Sequence, residues 1–200
     1  MLLYITANSP YARIARIAVR EAGLLPVTTE IDARLREDDN PVLGHSQVGR
    51  VPALVTPDGQ VITEVRYVVD VIAEVSGLGT LRSAGPRELN AAATEGLALG
   101  FLEGVAAWIR ENRRGALRSD SLVATELTRC DRCLSALETK ARSQALQPMP
   151  SFAAVVVFAA LDLMDMHDMR PDWRRACPSL GPQLDEARCR ESLKTTRPVL

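Results

Sequence analysis

What the chain lacks narrows the field first. It has almost no net charge: 24 basic residues stand against 25 acidic ones, leaving −1 at pH 7. Without a surplus of either sign, bulk electrostatics gives no reason to expect a nucleic acid or a membrane as partner. Lysine is scarce, since 22 of the 24 basic residues are arginine. We read that as a genomic bias, because both residue types serve equally on a solvated surface. No basic-then-apolar leader pattern opens the chain. The longest apolar run, Phe152 to Leu161, is far shorter than the roughly 20 residues that span a bilayer. There is no internal repeat and no low-complexity tract. These absences lead us to expect a soluble cytoplasmic protein whose four cysteines stay reduced.

Two hundred residues suit one large domain or two small ones, and either can bury a real core. Leu2, Leu3, Tyr4 and Ile5 form a short apolar run that reads as a buried strand. Ser9-Pro10 follows. Serine is a favoured N-cap and proline is tolerated at the first helical position, so a helix is expected from Pro10. Tyr11, Ile14, Ala15, Ala18, Val19 and Ala22 recur at helical spacing, with Arg13, Arg16 and Arg20 on another face, and Gly23 ends the helix. Val27, Thr29 and Ile31 alternate as a second strand would. Residues 34–49 are polar and read mostly as loop. Two short strands, at 53–55 and 61–62, flank the turn Pro57-Asp58-Gly59. Val65, Val68, Val69 and Ile72 then mark a helix that stops at Gly77. The order is β-α-β followed by β-β-α. The first unit is expected to be parallel with a right-handed crossover, and the hairpin antiparallel.

Composition shifts after that. Residues 1–77 read as an α/β domain, 78–86 as a linker, and 87–200 as an all-α domain. Within the last, helices are expected at 87–114, 122–145, 151–167 and in a shorter piece at 178–192. The third of these is nearly all apolar and should be the central, buried one.

Ser9, the run Gly49-Arg50-Val51-Pro52-Ala53-Leu54-Val55, and Glu64 form the strongest constellation. Singly, each has a plain structural role. Ser9 caps a helix, Pro52 enters a strand, and Glu64 is a first-turn carboxylate favoured by the helix dipole. Cys130-Asp131-Arg132-Cys133 has the CxxC spacing, but it falls inside an expected helix, away from the strand-helix junction that a redox CxxC needs. Adding Cys177 and Cys189 gives no zinc-binding pattern, so these read as core or surface thiols and no metal is expected. Asp162, Asp165, His167 and Asp168 read as the solvated, capped exit of the buried helix rather than as a cation site. Gly96, Gly100 and Gly104 repeat every four residues and read as a groove for close packing of a neighbouring helix.

In this order, and followed by a helical half, the motifs resemble the cytosolic glutathione transferase superfamily. They are most like its bacterial members with Ser-Pro-Tyr or Ser-Pro-Phe at the first helix. The resemblance covers nearly all of the chain and includes the closing stretches Trp173-Arg174, Cys177-Pro178-Ser179-Leu180 and Arg190-Glu191-Ser192-Leu193-Lys194-Thr195-Thr196-Arg197-Pro198. It implies a thioredoxin-like domain followed by a helical domain, a homodimer, and conjugation of glutathione to small electrophiles, as in detoxification. It further implies that the Ser9 hydroxyl donates to the glutathione sulfur, with the helix N-terminus depressing the thiol pKa. The peptide before Pro52 is implied to be cis, turning the Val51 backbone outward to pair with the cysteinyl part of glutathione, with Arg50 alongside. Glu64 and Val65 are implied to sit at a helix start that receives the γ-glutamyl carboxylate. The electrophile is expected near Tyr11, Phe101 and Trp108; His45 reads equally as a contact to the glycyl end and as a solvated loop histidine.

Three departures from the family pattern stand out. Val65 replaces the usual serine, removing one hydrogen bond to a carboxylate; such bonds are worth about 1.5–3 kcal/mol, roughly tenfold or more in affinity. Ser46-Gln47 replaces the usual Asn-Pro, and Arg50 the usual lysine. Ser151 lacks the aspartate three residues on that would complete a reciprocal helix cap, a loss of about 1 kcal/mol. Two other functions therefore stay in view. One is a transferase-fold protein without transferase activity, binding an apolar ligand or a partner protein. The other is a glutathione-dependent peroxidase, reductase or isomerase, against which the lack of cysteine at position 9 weighs for disulfide exchange.

Overall fold

The structure, a computed structural model, describes residues 1–198. Two compact units emerge. The first comprises Met1–Ser83 together with the described residues from Glu191 onward, and the second is Ala84–Arg190. The closing helix packs on the first helix of the chain, a contact that no local pattern announces.

The first unit is built on a four-stranded mixed sheet of order β2-β1-β3-β4, with β1 at Leu2–Ile5, β2 at Thr29–Asp32, β3 at Ala53–Val55 and β4 at Val61–Thr63. β1 and β2 are parallel, with Leu3 opposite Glu30; β3 runs antiparallel to both β1 and β4, with Leu54 opposite Leu3 and Ile62. This is the expected thioredoxin-like arrangement. Side chains alternate between the faces of a strand. Tyr4, Ala53 and Val55 accordingly gather with Ala33 and Val42 in one apolar cluster, while the fully buried Leu3 and Leu54 have the opposite parity.

Helix α1 (Pro10–Glu21) joins β1 to β2, and α2 (Val65–Ser76) follows β4; the two pack together. Gly77 closes α2 in the left-handed conformation, which glycine adopts without steric cost. Two expectations need correction. Val27 is not in a strand: Leu25–Val27 form a 3-10 turn, and Val27 is 59% exposed. Pro26 fixes its own φ and offers no N–H to a sheet, so pairing starts only at Thr29. Arg13 does not share an outer face with Arg16 and Arg20. It is 2% exposed, whereas those two extend to Glu30.

Arg13 is buried because α8 (Glu191–Lys194) covers α1. Its Nη2 donates to the Leu193 carbonyl at 3.5 Å. Arg20 Nε donates to Thr195 Oγ1 at 2.9 Å, and the Ser192 hydroxyl donates to Glu21.

The second unit is helical: α3 (Leu89–Asn112), α4 (Asp120–Arg142), α5 (Phe152–Met166), α6 (Trp173–Ala176) and α7 (Leu180–Arg188). α3 packs along both α4 and α5. It is long and apolar enough to cross a membrane, and it carries the buried carboxylates Glu95 and Glu111. α5 is buried from Phe152 to Met164, as its composition requires. Its cap is the Ser151 hydroxyl, which accepts from the Ala154 N–H at 3.3 Å and donates to the Gln147 carbonyl at 2.8 Å.

The acidic end of α5 is not a solvated exit. Asp165 accepts from Trp173 Nε1 (2.6 Å), from Arg174 (3.0 and 2.8 Å) and from Arg188 Nη2 (2.7 Å), and Asp162 accepts from Arg188 Nε at 2.7 Å. Asp165 therefore ties α5 to both α6 and α7, and Asp162 adds a second tie to α7. Nor do the three glycines of α3 form one packed groove. A Cβ on Gly104 would meet Glu126 Oε2 at 3.1 Å and Arg129 Cδ at 3.2 Å, whereas a Cβ on Gly96 or Gly100 would meet nothing within 4 Å.

Candidate functional site

Ser9 stands where β1 hands over to α1. Its backbone is extended, and its Oγ accepts from the Ala12 N–H at 3.2 Å. That bond occupies a lone pair and leaves the hydroxyl proton free to be donated. Pro10 at the first helical position keeps the turn tight without forfeiting a needed N–H. The half-buried Ser9 thus presents an O–H donor at the positive end of a 12-residue helix.

The Val51–Pro52 peptide is cis. Pro52 is buried, Val51 packs against the Tyr4–Val42 cluster, and Arg50 projects as an exposed residue. His45, in the preceding loop, lies 5.4 Å from the Tyr4 ring between centroids.

Glu64 is the N-cap of α2 rather than a residue of its first turn. Its carboxylate accepts from the Arg66 N–H at 3.2 Å. The backbone at Glu64 has φ +70°, a region that residues other than glycine rarely occupy. A constraint of this kind costs about 1–3 kcal/mol and is concentrated at functional sites. Val65 is 2% exposed, with its side chain in the core and its N–H in the first turn, where helix amides have no intrahelical partner. The turn is braced from behind. Arg66 Nε donates to Ser83 Oγ at 2.8 Å, and the Ser83 N–H and hydroxyl donate to the Asp70 carboxylate at 2.7 and 2.8 Å. Nothing in the spacing of Arg66, Asp70 and Ser83 marks that brace in the sequence.

Ser9, Tyr11, Arg50, Val51, Pro52, Glu64 and Val65 all belong to the first unit. Phe101 and Trp108 lie on α3 in the second. Phe101 is buried. Trp108 is half-buried, and its Nε1 is shielded from solvent without a hydrogen-bond acceptor among the described residues.

The cysteines are all free. Burial pushes the Cys130 thiol up to about 12 and the Cys177 thiol up to about 11. Cys130 Sγ rests 3.6 Å from the Met164 sulfur. Among the described residues no group of His, Cys, Asp and Glu is placed to hold a metal ion.

Residues 8–75 match the family model of the glutathione S-transferase N-terminal domain. Among solved structures, a glutathione S-transferase from Methylobacillus flagellatus with glutathione bound is similar over 99% of each chain, with a TM-score of 0.87 and 22% identity. The chain has the glutathione S-transferase fold. A glutathione transferase family member from Pseudomonas fluorescens with bound glutathione aligns over 100% of this chain and 99% of its own, at TM-score 0.85 and 24% identity. A glutathione S-transferase from Methylobacterium radiotolerans, complexed with glutathione sulfonate, aligns over 100% and 95% at TM-score 0.83 and 22% identity. No curated protein matches the chain in sequence. The transferase-fold framework places Ser9, the cis Pro52 and the Glu64 cap within its N-terminal unit.

Proposed function

We propose that the chain is a glutathione transferase of the bacterial Ser-Pro-Tyr type, conjugating the glutathione thiolate to small electrophiles. The observation that carries this reading is Ser9: a hydroxyl that accepts from its own helix and keeps its proton to donate. A sulfur placed there gains that hydrogen bond together with the field of the helix N-terminus, and both favour the thiolate. The thiolate then attacks the electrophile and expels its leaving group, or adds across an activated double bond.

In this reading the Val51 backbone pairs with the cysteinyl part of the peptide, with Arg50 at its side. The amides after Glu64, including that of Val65, receive the γ-glutamyl carboxylate, and the Glu64 carboxylate attracts the ammonium group. Tyr11, in the first turn of α1, contributes to the electrophile's surroundings. The glutathione carried by the similar solved structures supports the ligand assignment. A cytoplasmic homodimer acting in detoxification, without a metal, completes the proposal.

The buried Val65 side chain favours a second reading, a transferase-fold binder of an apolar ligand or protein that performs no conjugation. One experiment separates the two. Glutathione is titrated by calorimetry, and conjugation to an activated aryl halide is assayed for the wild type and Ser9→Ala. The transferase reading expects binding in both proteins and a turnover loss of about tenfold or more in Ser9→Ala. Absence of binding at millimolar glutathione overturns the transferase reading, and equal turnover removes the role given to Ser9.

A further inference from the structure

The helical unit contains a cleft of about 520 Å³, within the size range of small-molecule sites. It lies at the exit of α4, beside α5 and α7, and none of its lining residues belongs to the first unit. Its floor is apolar and buried: Leu146, Phe158 and Ala187 are each 5% exposed or less, and Phe158 comes from the core helix itself. Its rim carries three carboxamides, Gln144, Gln147 and Gln183. The charges there, Glu186 and Arg190, are of opposite sign and cancel.

Gln144 gives the cleft more weight than its size does. It follows the last turn of α4 with φ +57°, while the N–H groups of Ala145 and Leu146 both return to the Lys140 carbonyl. Glycine is the usual residue at such a left-handed helix end, because a side chain there is disfavoured. The chain instead places a glutamine, and this residue borders the cleft. The Gln147 amide is oriented by donating to the Gln144 carbonyl at 3.1 Å, which leaves its oxygen to accept. A glutamine amide offers a donor and an acceptor side by side, the complement of a heteroaromatic edge that carries both. The Phe158 ring and the Met149 thioether supply polarizable surface for the flat face of such a ring.

We propose that this cleft is a second ligand site, separate from the glutathione site, which binds an uncharged planar heteroaromatic of the nucleobase class. The floor takes the ring and the carboxamides read its edge. The proposal does not depend on the glutathione reading.

The test uses the full chain and adenine as the probe, followed by calorimetry. The expected result is saturable binding that persists at saturating glutathione. Affinity should fall about tenfold in Gln183→Ala and severalfold in Gln144→Gly. N6,N6-dimethyladenine, which lacks the exocyclic donors, should bind at least severalfold more weakly than adenine. Gln144→Gly relieves the left-handed backbone, so its thermal midpoint should equal or exceed that of the wild type and separate lost binding from lost folding. Three outcomes overturn the proposal: no saturable binding of adenine, equal affinity in the wild type and both variants, or loss of binding when glutathione is added.

Discussion

Glu138 on α4 accepts the backbone N–H groups of both Ser179 and Leu180, at 3.0 to 3.1 Å, and so closes the N-terminus of α7 from a distance of about 40 residues in sequence. Ser179 makes no side-chain cap of its own. Glu138 is buried, and it meets the partial positive charge of the helix start with a full negative one. Glu138→Ala leaves these donors unsatisfied and is expected to cost about 1–2 kcal/mol. Denaturant unfolding checks this, and a midpoint equal to wild type refutes it.

The acidic end of α5 sets how stability responds to pH. Burial raises the Asp165 carboxyl, but hydrogen bonds from Arg174, Trp173 and Arg188 outweigh it and hold the group below its ordinary value of 3.8. The unfolded chain therefore binds this proton at higher pH than the folded one. The contribution is complete above the ordinary value and is lost as pH falls through the folded value. Asp165→Asn should be less stable than wild type at neutral pH and should show a shallower loss of stability in acid. Thermal unfolding across an acid pH series measures both.

His167 adds a second limb at higher pH. Burial and the nearby Arg113 hold its imidazole below the ordinary value of 6.5. The unfolded chain again takes the proton first, so stability declines as pH drops below the ordinary value. His167→Gln should flatten that limb, whereas an unchanged slope between neutral pH and the carboxylate range would contradict the assignment.

Glycine replacement along α3 should separate open from occupied positions. Gly96→Ala and Gly100→Ala place a methyl in free space and are expected to stabilise the helix by about 0.5–1 kcal/mol each. Gly104→Ala must displace the Glu126 carboxylate and the Arg129 side chain, so its gain should be smaller or reversed. Chemical denaturation ranks the three.

Val65→Ser tests the glutamyl end of the site. Exchanging a buried isopropyl group for a hydroxyl should cost about 1–2 kcal/mol of fold stability. The new donor should tighten glutathione about tenfold. Unchanged affinity in calorimetry would mean that the backbone amide alone sets the grip.

These contrasts also show where a sequence is readable. The start of α1 follows from Ser9-Pro10, and the hairpin from Pro57-Asp58-Gly59, because cap and turn chemistry act within a few residues. The cis peptide at Pro52 was legible only by resemblance. Arg13, by contrast, has the look of a surface residue until Leu193, 180 positions away, covers it. The same holds for Asp162 and Asp165, whose partners Trp173, Arg174 and Arg188 arrive from later helices. Side-chain periodicity reports one face of a helix against one neighbour, and a second neighbour from elsewhere in the chain leaves no periodic trace.

The docking of α8 on α1 changes what counts as a separable piece of this protein. The helical stretch Ala84–Arg190 is, topologically, an insertion within the first unit, entered after Ser83 and left before Glu191. Cutting the chain after Ser83 would not liberate an autonomous ligand-binding module, because it would strip the cover from Arg13 one turn beyond Ser9. A minimal version should instead join Ser83 to Glu191 through a flexible linker, keeping both ends of the host and discarding only the guest.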